Sequence, residues 1–159
     1  MSASLFNAAL ALYGVATLCY LVFFVRPAVM MGRICRWALG AGFACHCLYT
    51  FHRYFASGHT PITNPHESLS FFSLAVAGAF LAFQWRYRAV ILGAFVMPVA
   101  FLMILAAAFF PSTVGPLNPA LKSGWLIIHA AGAFSAYAVF AVAFCAGVMY
   151  LLQEHYLKR

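Results

Sequence analysis

Residues 5–25 read LFNAALALYGVATLCYLVFFV, twenty-one positions without a charged side chain. A helix rising about 1.5 Å per residue needs about 20 such residues to cross the hydrocarbon of a bilayer. Four further stretches have the same character: 37–55, where a scatter of His and Cys interrupts the apolar run, then 69–85, 89–110 and 125–152. None alternates apolar and polar residues over about ten positions, as a transmembrane β-strand does. Lipid offers backbone groups no partner but one another, so continuous helices are expected. The rest of the chain agrees. Of its 159 residues, 66% are hydrophobic and only 7% charged, and the mean hydropathy is +0.95. Soluble domains carry about 25% charged residues. A soluble globule, a disordered chain and a collagen-like repeat are therefore excluded. The expected fold is all-α: a single polytopic membrane bundle over 1–159 with five transmembrane helices.

The basic residues set the expected orientation. Arg26, Arg33 and Arg36 fall between the first and second spans, Arg86 and Arg88 between the third and fourth, and Lys158 and Arg159 after the fifth. Only Arg53 and Lys122 fall on the other side. Positive residues stay on the cytoplasmic side, so the N-terminus is expected outside and the C-terminus in the cytoplasm. The net charge of +7 thus reflects topology, and no nucleic-acid partner is implied. The outer loops are then His52–Ser68 and Pro111–Gly124. The segment before the first span, Met1–Ser4, has no positive side chain and no A-x-A site follows, so that span reads as a membrane helix and not as a cleaved signal.

Few polar groups remain to carry chemistry. The five cysteines form no C-x-x-C and no C-x-x-C-H haem-attachment site. Cys45-His46-Cys47 resembles a metal cluster, but successive residues on a helix point about 100° apart and cannot converge on one ion. His46/His59 and His52/His66 have the spacing of di-haem helices, yet Gly58, Pro61 and Pro65 break the helix between them. Pro98 removes one backbone donor from the fourth span. Gly132/Ala136 and Ala143/Gly147 are small pairs at the spacing that suits close helix contact. Five of the six histidines, His46, His52, His59, His66 and His129, fall at mid-membrane or on the outer side. A neutral imidazole is a good axial ligand for haem iron, and ionisable groups inside spans tend to face interior sites.

The most specific stretch is Gly58-His59-Thr60-Pro61-Ile62-Thr63-Asn64-Pro65-His66-Glu67-Ser68-Leu69-Ser70-Phe71-Phe72. Two prolines hold an extended loop, and Glu67 meets the positive end of the third helix, where it can cap that helix or pair with Arg53 or Lys122. The string resembles the G-H-x-P-x-x-N-x-x-E-S-L motif of the haem-handling proteins of c-type cytochrome biogenesis called CcsA, CcsB or ResC. Ser123-Gly124-Trp125-Leu126-Ile127-Ile128-His129 is similar to that family's S-x-W-L-x-x-H, and the likeness extends to Leu151-Leu152-Gln153-Glu154.

The resemblance implies a subunit of a cytochrome c synthase in the bacterial plasma membrane, or in the thylakoid membrane of a plastid. Such a subunit exports haem b as transient cargo and presents it to apocytochrome c on the outer face. His129 matches the family's first external axial histidine. Trp125, His46, His59, His66 and Glu67 are candidates for the surrounding pocket. A ResB-like membrane partner, the lipid bilayer and apocytochrome c are the implied partners. The family's tryptophan-rich W-G-x-x-W-x-W-D haem loop and its later helices are not in this sequence, whose three tryptophans are scattered. They are expected from the remainder of a longer protein or from another chain, which leaves open whether this chain is itself an enzyme. The competing readings are an accessory subunit that only packs and a small transporter. The second lacks the charged pairs expected of a proton relay.

Overall fold

The computed structural model describes residues 2–113 and 124–158. Those residues form five α-helices: α1 Ser2–Val25, α2 Val29–Ser57, α3 Pro65–Tyr87, α4 Gly93–Ala108 and α5 Gly124–Leu157. A short 3₁₀ turn, Val90–Leu92, leads into α4. There is no strand among the described residues. Four helical segments are long and apolar enough to cross a membrane: Ala3–Val25, Pro65–Tyr87, Val90–Ala108 and Ile127–Leu157. The chain is a multi-pass membrane protein. α2 is longer than the first three of these at 29 residues, but Arg33, Arg36, His46, His52 and Arg53 dilute its apolar content.

Four of the five helices outrun the hydrophobic stretches; α4 instead falls short of 89–110 at both ends, the first residues of that stretch forming the separate 3₁₀ turn and Phe109 closing the helix. α2 begins at Val29, so Arg33 and Arg36 lie on its first turns and only residues 26–28 connect α1 to α2. Helix formation depends on backbone hydrogen bonds and does not stop where the apolar residues do. α2 ends where Gly58 takes a left-handed conformation, φ 70°, and donates its N–H to Tyr54 O. That is the glycine C-cap geometry. α3 starts four residues before its apolar run because Asn64 caps it, accepting from Glu67 N at 2.9 Å, with Pro65 in the first turn.

α1 and α2 pack antiparallel through matched stripes. α1 buries Phe6, Ala9, Tyr13, Ala16 and Tyr20, and α2 buries Gly32, Cys35, Leu39, Gly42, His46, Tyr49 and Arg53. Both stripes step by three and four residues, the spacing of one helix face. α3 and α4 close the other side through Val76, Ala77, Phe80, Val96, Met97, Ala100 and Ile104. α5 lies against α3 and α4 through Ala138, Val142 and Cys145, and Phe134 meets the rings of Phe71 and Phe72. The small pairs Gly132/Ala136 and Ala143/Gly147 face away from these contacts and are exposed. The inward face of α5 is the opposite stripe, so these residues make no close helix contact within the described chain.

Candidate functional site

The inward stripe of α2 turns polar as it approaches Gly58. His46, Tyr49 and Arg53 occupy three successive turns, and α3 begins opposite them with His66, Glu67 and Ser70, all buried. Burying polar groups in an apolar bundle is costly unless each is hydrogen-bonded, and nearly every one here is.

Glu67 is the centre of this cluster. Its Oε1 accepts from Arg53 Nε at 2.8 Å, and its Oε2 accepts from Thr63 N at 3.0 Å and Thr63 Oγ1 at 2.8 Å. One carboxylate thus joins the end of α2, the intervening turn and the start of α3. Of the partners expected for Glu67, the structure selects Arg53; Lys122 lies outside the described residues. The pair is almost fully enclosed, with side-chain exposures of 7% and 1%. Arg53 Nη2 is buried without a hydrogen-bond partner.

His66 is held at both nitrogens. Nδ1 contacts Ala107 O at 2.8 Å and Nε2 contacts the Tyr49 hydroxyl at 2.8 Å. A carbonyl only accepts, so Nδ1 donates to Ala107 O, while Nε2 shares a hydrogen bond with the Tyr49 hydroxyl. These two contacts tie α2, α3 and α4 together. Deeper in the bundle, His46 Nε2 shares a hydrogen bond with Ser70 Oγ at 2.9 Å, and Nδ1 lies 3.4 Å from the Tyr13 hydroxyl. Phe6 packs edge-on against Tyr49 and at a tilt against His66. His59, in the turn, donates from Nδ1 to Thr60 O at 3.1 Å, while its Nε2 is buried and unpartnered.

His129 and Trp125 stand elsewhere. Both are exposed on the first turns of α5, and Trp125 is 79% exposed. They lie four residues apart and so share a face. Among the described residues the His129 ring makes no hydrogen bond, and neither residue shares a hydrogen bond or ring contact with the His66–Glu67 cluster. Phe134 packs at the level of Phe71. Counting back along both helices at about 1.5 Å per residue brings His129 to the level of the first turns of α3. The histidine and the cluster therefore occupy the same end of the bundle on different faces.

Tyr13, Tyr49, Arg53 and Ser70 were not among the residues singled out by the sequence for the pocket. Their signal is the regular spacing of His46, Tyr49 and Arg53, which puts all three on one face of α2. Among the described residues no three His, Cys, Asp or Glu side chains come together as a metal site.

The family model described as Cytochrome C assembly protein matches residues 39–159, three-quarters of the chain, including every residue of the cluster except those on α1. The chain belongs to this family. Its relatives include proteins named cytochrome c biogenesis protein CcsA. That of Prochlorococcus marinus is 37% identical over 94 residues, 57% of this chain and 30% of the relative. That of Picosynechococcus sp. is 32% identical over 120 residues, 72% of this chain and 36% of the relative. That of Pyropia yezoensis is 31% identical over 104 residues, 63% of this chain and 33% of the relative. The matched region of this cytochrome c assembly chain thus spans about a third of the length of these curated relatives.

Proposed function

We propose that this chain handles haem during c-type cytochrome biogenesis and presents it at the outer face of the membrane, with His129 as an axial ligand. Haem b is the transient cargo. The observation that carries this reading is the contrast among the histidines. Iron needs an imidazole nitrogen with a free lone pair. His46 and His66 have both ring nitrogens engaged inside the bundle, whereas His129 is exposed with no hydrogen bond among the described residues. Trp125, exposed one turn away on the same face, offers an aromatic surface to a macrocycle. His59, His66 and Glu67 shape the adjoining end of the bundle, and His46 supports it from below.

The rest of the machinery is proposed to lie outside this segment. The tryptophan-rich loop and later helices come from the remainder of the protein or from another chain. A ResB-like membrane partner and apocytochrome c complete the assembly. The membrane is the bacterial plasma membrane, or the thylakoid in a plastid. In that membrane α2 crosses as well, second in chain order, beside the four more apolar helices. Its outward side chains include Trp37, Leu48, Phe51 and Phe55, all well exposed, so lipid meets apolar groups while the polar ones face the bundle.

Ligand rescue tests the role of His129. In the full assembly, His129→Gly is expected to lose most of its Soret absorbance and cytochrome c formation. Added imidazole should restore part of both by filling the vacated axial position. A histidine needed only for packing would show lowered protein levels and no recovery with imidazole. An unchanged haem spectrum in His129→Gly would refute the ligand assignment.

Orientation has its own test. The seven-to-two division of basic residues puts the Gly58–Asn64 turn and Ser112 outside, with the N-terminus outside and the C-terminus in the cytoplasm. Ser112→Cys should react with an impermeant maleimide from the outside of sealed cells. Reaction only after permeabilisation would reverse the topology.

A further inference from the structure

A cavity of about 200 Å³ opens at the same end of the bundle, between the start of α1 and the ends of α2 and α4. Phe6 and Phe110 form its apolar wall, and Asn7, Arg53, His66 and Ser112 its polar one. Its charge is one-sided. Arg53 supplies a guanidinium, and no acidic residue lines the space; Glu67, which pairs with Arg53 Nε, is not part of the wall. Both ring nitrogens of His66 are committed to Tyr49 and Ala107, so it offers a ligand no free partner.

Arg53 itself is 6% exposed, yet its Nη2 has no hydrogen-bond partner. An unfilled donor on a buried guanidinium is expensive, and an acceptor on a ligand relieves that penalty. An anionic acceptor gains most, because charge-assisted bonds to guanidinium are the strong ones. Phe6 and Phe110 ask for something apolar behind the charge.

We propose that this cavity binds one carboxylate carried on an apolar stem, with the Arg53 guanidinium as its principal partner. The site is distinct from the exposed face of α5 and does not depend on iron ligation by His129. Two kinds of molecule offer this chemistry at a membrane surface: the propionate side chains of haem, and a fatty acid.

The test uses the full chain in phosphatidylcholine nanodiscs and radiolabelled hexanoate as probe. Saturable hexanoate binding is expected, with hexanol failing to compete. Ala108 also lines the cavity, and its methyl side chain takes no part in the hydrogen bonds of the Arg53–Glu67 pair. Ala108→Phe should fill the space and weaken hexanoate binding at least about tenfold. Arg53→Lys keeps the charge but loses the planar fork, and it should weaken binding by a similar factor. Resistance to dodecyl sulfate shows whether each variant is folded. Equal competition by hexanol, or wild-type affinity in folded Ala108→Phe, would overturn the proposal. Competition then identifies the source. Displacement by haem but not by its dimethyl ester points to the propionates, and displacement by oleate but not by haem points to lipid. Because His129→Gly leaves the cavity intact, it should bind hexanoate as wild type does, which separates failure of this site from failure of the axial-ligand reading.

Discussion

Glu67→Leu is expected to destabilise the bundle by about 3–5 kcal/mol, the usual penalty for leaving one member of a buried ion pair alone. The leucine removes the acceptor for Arg53 Nε and for both Thr63 donors. Arg53 then remains as a charge with 7% of its side chain exposed and nothing to neutralise it. Glu67→Gln should fall between wild type and leucine, since one amide oxygen still accepts from Arg53 or Thr63 but carries no charge. The informative variant is the double one. Arg53→Met with Glu67→Leu replaces the pair by apolar groups of similar size, which is often neutral. It should be clearly more stable than Glu67→Leu alone. Unfolding by dodecyl sulfate in mixed micelles gives the four corners of the cycle. If the double variant is as unstable as the sum of the two singles, the pair has no mutual dependence and Glu67 acts only through Thr63.

The second large effect is at Gly93, where α4 begins. A Cβ there would lie 2.2 Å from Cδ1 of Tyr20, closer than any real contact. Tyr20 has nowhere to move. It is fully buried, its ring packs edge-on against Phe80 with centroids 5.6 Å apart, and its hydroxyl donates to Gln84 Oε1 at 2.9 Å. Gln84 Nε2 already lacks a partner, so displacing Tyr20 strands a second polar atom. Gly93→Ala should therefore cost roughly 3 kcal/mol, at the upper end of overpacking penalties. Gly147→Ala is the control. Nothing lies within 4 Å of a Cβ at that position, and alanine favours the helix by up to about 1 kcal/mol. The same detergent titration separates the two, and equal midpoints for Gly93→Ala and wild type would mean that α4 can slide away from α1.

The helical architecture was legible because lipid leaves the backbone no alternative, and the apolar runs state that directly. Helix ends were less so. Asn64 and Gly58 determine where α3 starts and α2 stops through single hydrogen bonds that hydropathy does not register. Arg53 was named as one of two possible partners for Glu67, and it does turn inward to meet it; its burial was not legible, because an arginine near the end of a span reads first as a marker of orientation. The three-and-four spacing back to Tyr49 and His46 carried that information, but only knowledge of which face of α2 is buried makes it usable. The same holds on α5. Small residues at spacing four were consistent with helix contact, yet the contacts fall on Ala138, Val142 and Cys145. His129 and Trp125 were correctly placed near the start of that helix by counting alone. Their exposure required the neighbouring helices.

The inside-out character of α2 bears on how the protein is made. A helix partitions from the insertion machinery into lipid by its own hydrophobicity, and each charged residue opposes that step, by about 3 kcal/mol at mid-helix and less toward the ends. α2 carries His46 and Arg53 on the face that α1 and α3 later cover, so alone it presents those groups to hydrocarbon. It must wait for company: Glu67 has to emerge from the ribosome before Arg53 can be neutralised, fourteen residues after it in the chain. α1, α2 and α3 are thus expected to enter the bilayer as one cooperative unit, and a nascent chain halted before residue 67 should remain at the translocon.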